Sequence, residues 1–112
     1  MKKKIFLIIL TFLILCGCSK EAETDVYKIM KDNDHIIVDV RTKEEYDELH
    51  VVDAINIPVD EIDENIDLDK DKIIFVYCRS GNRSSQAYSI LTNLGYTVYD
   101  LGALSSINLE KE

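Results

Sequence analysis

Cys78 is flanked by two contrasting sequences. Ile73-Ile74-Phe75-Val76-Tyr77 runs straight into it, a short apolar stretch of β-branched and aromatic residues that reads as a buried strand. Beyond it Ala87, Ile90, Leu91 and Leu94 recur at helical spacing from Ser84 to Asn93, and Gly95 stands where a left-handed cap would end a helix. The connection is Arg79, Ser80, Gly81, Asn82, Arg83 and Ser84: two guanidiniums, two hydroxyls and one flexible glycine in a tight loop. Successive N–H groups in such a loop form a nest for an anion, and a helix start adds unpaired donors of its own. Positive charge and a helix N-terminus also favour the thiolate of a cysteine. The chemistry offered is a nucleophilic sulfur inside an anion-binding cup. On the residues alone, a buried structural cysteine beside two solvated arginines remains the alternative, because unpaired cysteines are among the most buried residues.

Other elements must position this loop. A short helix is expected from a Thr24 cap to about Lys31, with Val26, Ile29 and Met30 on one side. His35 to Val40 reads as a buried strand, and Thr42 followed by Glu45 forms a capping box that opens a helix just after it. Ala54 to Ile57 makes a second strand, ended by Pro58. Val59, Ile62 and Ile66 imply a brief helix, Asp67 to Lys72 a charged turn, and Thr97 to Tyr99 a last strand. Strands and helices alternate throughout, which argues for an α/β layer architecture with a mostly parallel sheet. Ligands of such sheets bind beyond the carboxyl ends of the strands, where Cys78 falls.

The first residues form an address and are excluded from the fold. Lys2, Lys3 and Lys4 precede an apolar run from Ile5 to Leu15, too short for a comfortable membrane span and built like an export signal. Leu15-Cys16-Gly17-Cys18-Ser19 resembles the lipobox of bacterial lipoproteins, with Cys18 as the lipidated first residue of the mature chain. The expected organisation is a signal over 1–17, a short lipid-anchored linker over 18–24 and a domain over 25–112. The chain would then be held at the cell membrane by lipid on Cys18, facing outside the cytoplasm, since a diacylated cysteine supplies the two chains that stable anchoring needs. Cys16 leaves with the signal, so Cys78 is the one free thiol, and neither an internal disulfide nor a cysteine-rich metal site is expected.

The whole chain of 112 residues has a formal charge of −8, from 13 basic and 21 acidic side chains. Removing residues 1–17 takes away three lysines and no acid, so 10 bases against 21 acids leave −11. That balance excludes nucleic acid and anionic lipid surfaces as electrostatic partners. Apolar segments nevertheless recur as far as Leu109, enough for a core and against wholesale disorder.

The exported part resembles the rhodanese family of sulfurtransferases. The resemblance rests on Asp39-Val40-Arg41-Thr42 with Glu44-Glu45-Tyr46, on His50 and Ala54-Ile55-Asn56-Ile57-Pro58, on Tyr77 to Ser84, and on Gly95-Tyr96 with Tyr99-Asp100-Leu101-Gly102. It implies a mostly parallel five-stranded sheet flanked by helices. It further implies that Cys78 accepts a sulfane sulfur as a persulfide and passes it to a nucleophile, cradled by the backbone of Arg79, Ser80, Gly81, Asn82, Arg83 and Ser84. Asp39 and Arg41 would support the pocket, Arg41 chiefly through a bracing salt bridge. His50, at the family's histidine position, is read as structural before proton-donating, and the tyrosines as packing residues. No cofactor or metal is implied. The partners would be a small sulfur-containing donor such as thiosulfate and a thiol or cyanide-like acceptor, with the protein a monomer.

Cysteine phosphatases, some of which share this fold, place five residues between nucleophile and arginine. Four separate Cys78 from Arg83, and the shorter cup suits a single sulfur better than a phosphate. Four positions depart from the family pattern: Leu49 and Asp53 stand where it usually has glycine, and Ala103 and Ile107 where it has glycine and tryptophan. Asp tolerates a left-handed turn, whereas Leu does so only at a cost, so the turn near His50 is expected to be rebuilt. The competing reading from a different class is a non-catalytic module that keeps the cup for an anion or a partner protein.

Overall fold

The computed structural model describes residues 26–112. The chain divides after Asp32 into two units. Of the first, the described part is helix α1 (Val26–Asp32), with an exposed Lys28–Asp32 pair at 2.8 Å one turn apart. The export signal, Cys18 and the Thr24 cap lie outside the described residues.

The second unit carries strands β1 (His35–Asp39), β2 (Ile55–Asn56), β3 (Ile73–Cys78) and β4 (Thr97–Ala103), with helices α2 (Lys43–Glu48) and α3 (Asn82–Asn93). All neighbouring strands pair in parallel, in the order β2-β1-β3-β4. β3 is central and buried almost throughout, which explains its unbroken run of apolar side chains. Its residues alternate between two faces. Ile74, Val76 and Cys78 enter a core with Val38, Val40, Ala87, Leu91, Tyr96 and Val98, while Phe75 stacks on Tyr99 at 5.5 Å. α3 buries Ser84, Ala87 and Leu91, one stripe of its surface.

The expected capping box is present: the Thr42 hydroxyl accepts from the Glu45 N–H, and the Glu45 carboxylate accepts from the Thr42 N–H at 3.0 Å. Gly95 has a φ of 99° and closes α3 as expected. Asp53 takes the left-handed conformation, φ 73°, whereas Leu49 is extended at φ −167°; the turn near His50 is rebuilt around that difference.

Two expectations are corrected. The sheet has four strands among the described residues, not five. The sequence contains four runs with strand character. The remaining acidic stretch folds back on itself instead, with the Asp63 and Asp69 carboxylates accepting from the N–H groups of Asn65 and Asp71. Among the described residues the only further β-pairing is antiparallel, between 50–52 and 110–112, with His50 and Glu112 exchanging both backbone hydrogen bonds. The helix expected across Val59, Ile62 and Ile66 is a single 3-10 turn (Val59–Glu61), after which Ile62 turns into the core and Ile66 packs against it from a loop.

Candidate active site

Cys78 ends β3 and has no exposed surface. Gly81 precedes the first turn of α3 with φ 101°, in a place where a Cβ would meet nothing; the left-handed backbone, not lack of room, calls for glycine. That turn brings the Gly81 N–H to 2.9 Å from the sulfur and the Ser84 hydroxyl to 3.5 Å. The Ser84 Oγ also lies 3.2 Å from the Gly81 carbonyl, so its proton has two acceptors to choose between: that carbonyl beside a thiol, the sulfur beside a thiolate. Burial pushes the Cys78 thiol up. The Ser84 hydroxyl together with the N–H groups of Ser84, Gly81 and Ser80 outweighs it, and the net shift is downward.

The two loop arginines part company. Arg83 grips Glu45 at the start of α2 with both terminal nitrogens, at 2.7 and 3.1 Å, and its charge still interacts with Cys78. Led by that bond, the Glu45 carboxyl falls from 4.5 to about 2. Glu45 therefore does two jobs at once, capping α2 and fastening the loop. Arg79 is exposed and has no ion-pair partner among the described residues. The Asn82 side chain also points along α3, accepting from the Gln86 amide at 3.2 Å.

Beneath the loop lies a second pair. Arg41 meets Asp39 at 2.7 Å with both side chains buried, and also donates to the Leu49 carbonyl at 2.6 Å. The Tyr77 hydroxyl donates to Asp39 at 2.8 Å and accepts from the Val51 N–H at 3.0 Å, while the Arg41 guanidinium sits 5.7 Å from the Tyr77 ring centre. Burial pushes the Tyr77 phenol up, keeping it a neutral donor. Asp39 and Arg41 thus fasten the 49–53 turn to the end of the sheet. His50 is stacked on Tyr46 at 3.8 Å, with its Nδ1 2.7 Å from the Tyr46 carbonyl.

A cleft of about 530 Å³ opens beside the loop, lined by Arg41, Glu45, Glu48, Leu49, Arg79, Leu104, Ser105 and Lys111. A bulge shapes one wall. Val76 faces Asp100 but Tyr77 faces Gly102, so Leu101 is an extra residue. The shift sets Ala103 beside Cys78 and sends the 3-10 turn Leu104–Ser106 along the cleft.

The family model of the rhodanese-like domain matches residues 22–106. The chain belongs to the rhodanese-like family. Its relatives include the thiosulfate sulfurtransferase PspE of Escherichia coli, 44% identical over 78 residues that cover 66% of this chain and 75% of that protein. The thiosulfate sulfurtransferase GlpE of Coxiella burnetii is 30% identical, over 69% and 74% of the two chains. In other relatives the likeness is to one part: the chain spans 20% of a probable molybdopterin-synthase adenylyltransferase of Porphyra purpurea, at 41% identity. Among solved structures, a rhodanese with anions from E. coli superposes with a TM-score of 0.65 at 40% identity, over 70% of this chain and 96% of that one. A rhodanese-related protein from Thermoplasma volcanium gives 0.66 at 31%, over 79% and 91%. By class this rhodanese-like chain is a sulfurtransferase.

Of the residues singled out from the sequence, Cys78, Ser80, Gly81 and Ser84 converge on the sulfur, and Asp39 and Arg41 on each other. Sequence reasoning missed the grip of Glu45 on Arg83, the bonding of the Tyr77 hydroxyl and the presence of Lys111 in the cleft. Glu45 carried a signal for its cap, but nothing local marks a partner 38 residues away.

Proposed function

We propose that this rhodanese-like chain carries a sulfane sulfur on Cys78 from a thiosulfate-like anion to a thiol or cyanide-like acceptor. The observation that carries the reading is the set of donors converging on the Cys78 sulfur. The Cys78 thiolate attacks the outer sulfur of the donor. A sulfur–sulfur bond forms, the donor's own sulfur–sulfur bond breaks, and sulfite leaves with the electron pair. The N–H groups that held the thiolate then face the persulfide's negative charge. An acceptor thiolate attacks the outer sulfur, and Cys78 departs as thiolate. The sulfur itself has no exposed surface, while Arg79 and Ser80 next to it in the loop are exposed.

That burial is the observation favouring the other reading, a non-catalytic binding module. Transfer from thiosulfate to cyanide separates the two: Cys78→Ser should abolish it while leaving the circular dichroism spectrum unchanged. Wild-type protein without turnover would favour the module.

The N-terminal sequence supports a further proposal, that lipid on Cys18 holds the domain at the outer side of the cell membrane. Cys18→Ser should then abolish fatty-acid labelling, and labelling that persists would remove Cys18 as the anchor.

A further inference from the structure

We propose that the C-terminal residues 110–112 complete the donor site, with Lys111 and Arg79 forming a two-cation subsite that selects donors carrying two negative charges. The inference rests on the sulfur-carrier reading and concerns which donor the cleft admits.

Charge within the cleft is distributed unequally. Arg41 is committed to Asp39, and Glu45 to Arg83. Glu48 is an exposed acid that also lines the cleft. Arg79 and Lys111 remain as cations without an ion-pair partner among the described residues, in a chain whose overall charge is −8. A dianion approaching this acidic surface meets net repulsion unless cations are gathered where it must bind. The cleft that opens beside the Cys78 loop provides them.

Lys111 is placed there by backbone pairing. Residues 50–52 and 110–112 are joined by hydrogen bonds from His50 to Glu112, Glu112 to His50 and Val52 to Glu110, at 2.8 to 3.0 Å. The turn they attach to is itself fixed by Arg41 through the Leu49 carbonyl. Lys111 Nζ donates to the Ile107 carbonyl at 2.7 Å, which orients the ammonium and leaves two of its three donors for a ligand. Ser105 adds a hydroxyl to the same wall. Lys111 lies beyond residues 22–106, which the family model matches.

The test compares two donors of the same sulfane sulfur on the full chain: thiosulfate, a dianion, and methanethiosulfonate, a monoanion. Lys111→Met keeps most of the apolar stem and removes the charge. It should raise KM for thiosulfate about five- to tenfold at low salt, in the range of a typical net hydrogen bond, and KM for methanethiosulfonate less than about twofold. Lys111→Arg should restore the thiosulfate value, and the wild-type advantage should shrink as salt is added. Equal losses with both donors would indicate a merely structural tail and overturn the proposal, as would no change with either. A wild-type chain that takes sulfur from neither donor would instead overturn the sulfur-carrier reading on which this one rests.

Discussion

Two arginine–carboxylate pairs flank the Cys78 loop, and they differ in what surrounds them. Arg41 and Asp39 have side chains 7% and 0% exposed; Arg83 and Glu45 are 31% and 22% exposed. The first pair is enclosed in a network in which Tyr77, Leu49 and Val51 satisfy what the ions leave over, and no described buried side-chain nitrogen or oxygen lacks a partner. The second is open to water on one side and joins the loop to α2. Equal distances therefore support different roles. A buried pair that loses one member strands a charge in the interior, whereas a partly exposed one re-solvates. The first pair maintains the sheet end, and the second sets where the loop sits.

Breaking the buried pair gives the largest effect. Asp39→Ala should destabilise the domain by about 3–5 kcal/mol, measured by urea unfolding, because Arg41 is left uncompensated. The double variant Asp39→Val with Arg41→Met should recover part of that loss. A single-variant effect below about 1 kcal/mol would make the two pairs equivalent and remove the distinction.

Much of this arrangement was legible in the sequence. The four strands follow from runs such as Ile73 to Tyr77, and the α2 start from Thr42 and Glu45, because both signals are local. The fifth strand came from family likeness and is absent among the described residues, where the acids of 63–72 satisfy their own backbone in turns. Asp53 and Leu49 behaved as their side chains dictate: one adopted the left-handed turn, the other stayed extended. The sequence puts the Arg83 backbone in the cradle and its charge near the thiol; its side chain is also bound to Glu45, and hydrogen bonds from Ser84, Gly81 and Ser80 lead the lowering of the Cys78 thiol pKa. Contacts between residues 38 positions apart leave no periodic trace, and neither does a tail that reaches a cleft by backbone pairing.

The exposed pair should respond more in activity than in stability. Arg83→Lys cannot reproduce a two-nitrogen grip on Glu45. It should cost less than about 1 kcal/mol in unfolding free energy while lowering sulfur transfer about tenfold, the equivalent of about 1.4 kcal/mol in the transition state. Unchanged kinetics would make the grip incidental.

A smaller effect is expected in acid. The folded Glu45 carboxyl titrates at about 2 against an ordinary 4.5, so its contribution is fully present above about pH 4.5 and is lost as pH falls toward about 2. Glu45→Gln removes that titration. The wild-type advantage over this variant in unfolding free energy should therefore narrow across that window, and a constant difference would contradict the pairing with Arg83.

The central claim is that the donors around Cys78 make it a sulfur carrier and not an inert core thiol. Intact mass of the full chain after thiosulfate at neutral pH tests it most directly. The predicted result is a gain of one sulfur atom, absent in Cys78→Ser and removed by cyanide. A wild-type chain that keeps its original mass, with a thiol titrating no lower than free cysteine, would contradict it.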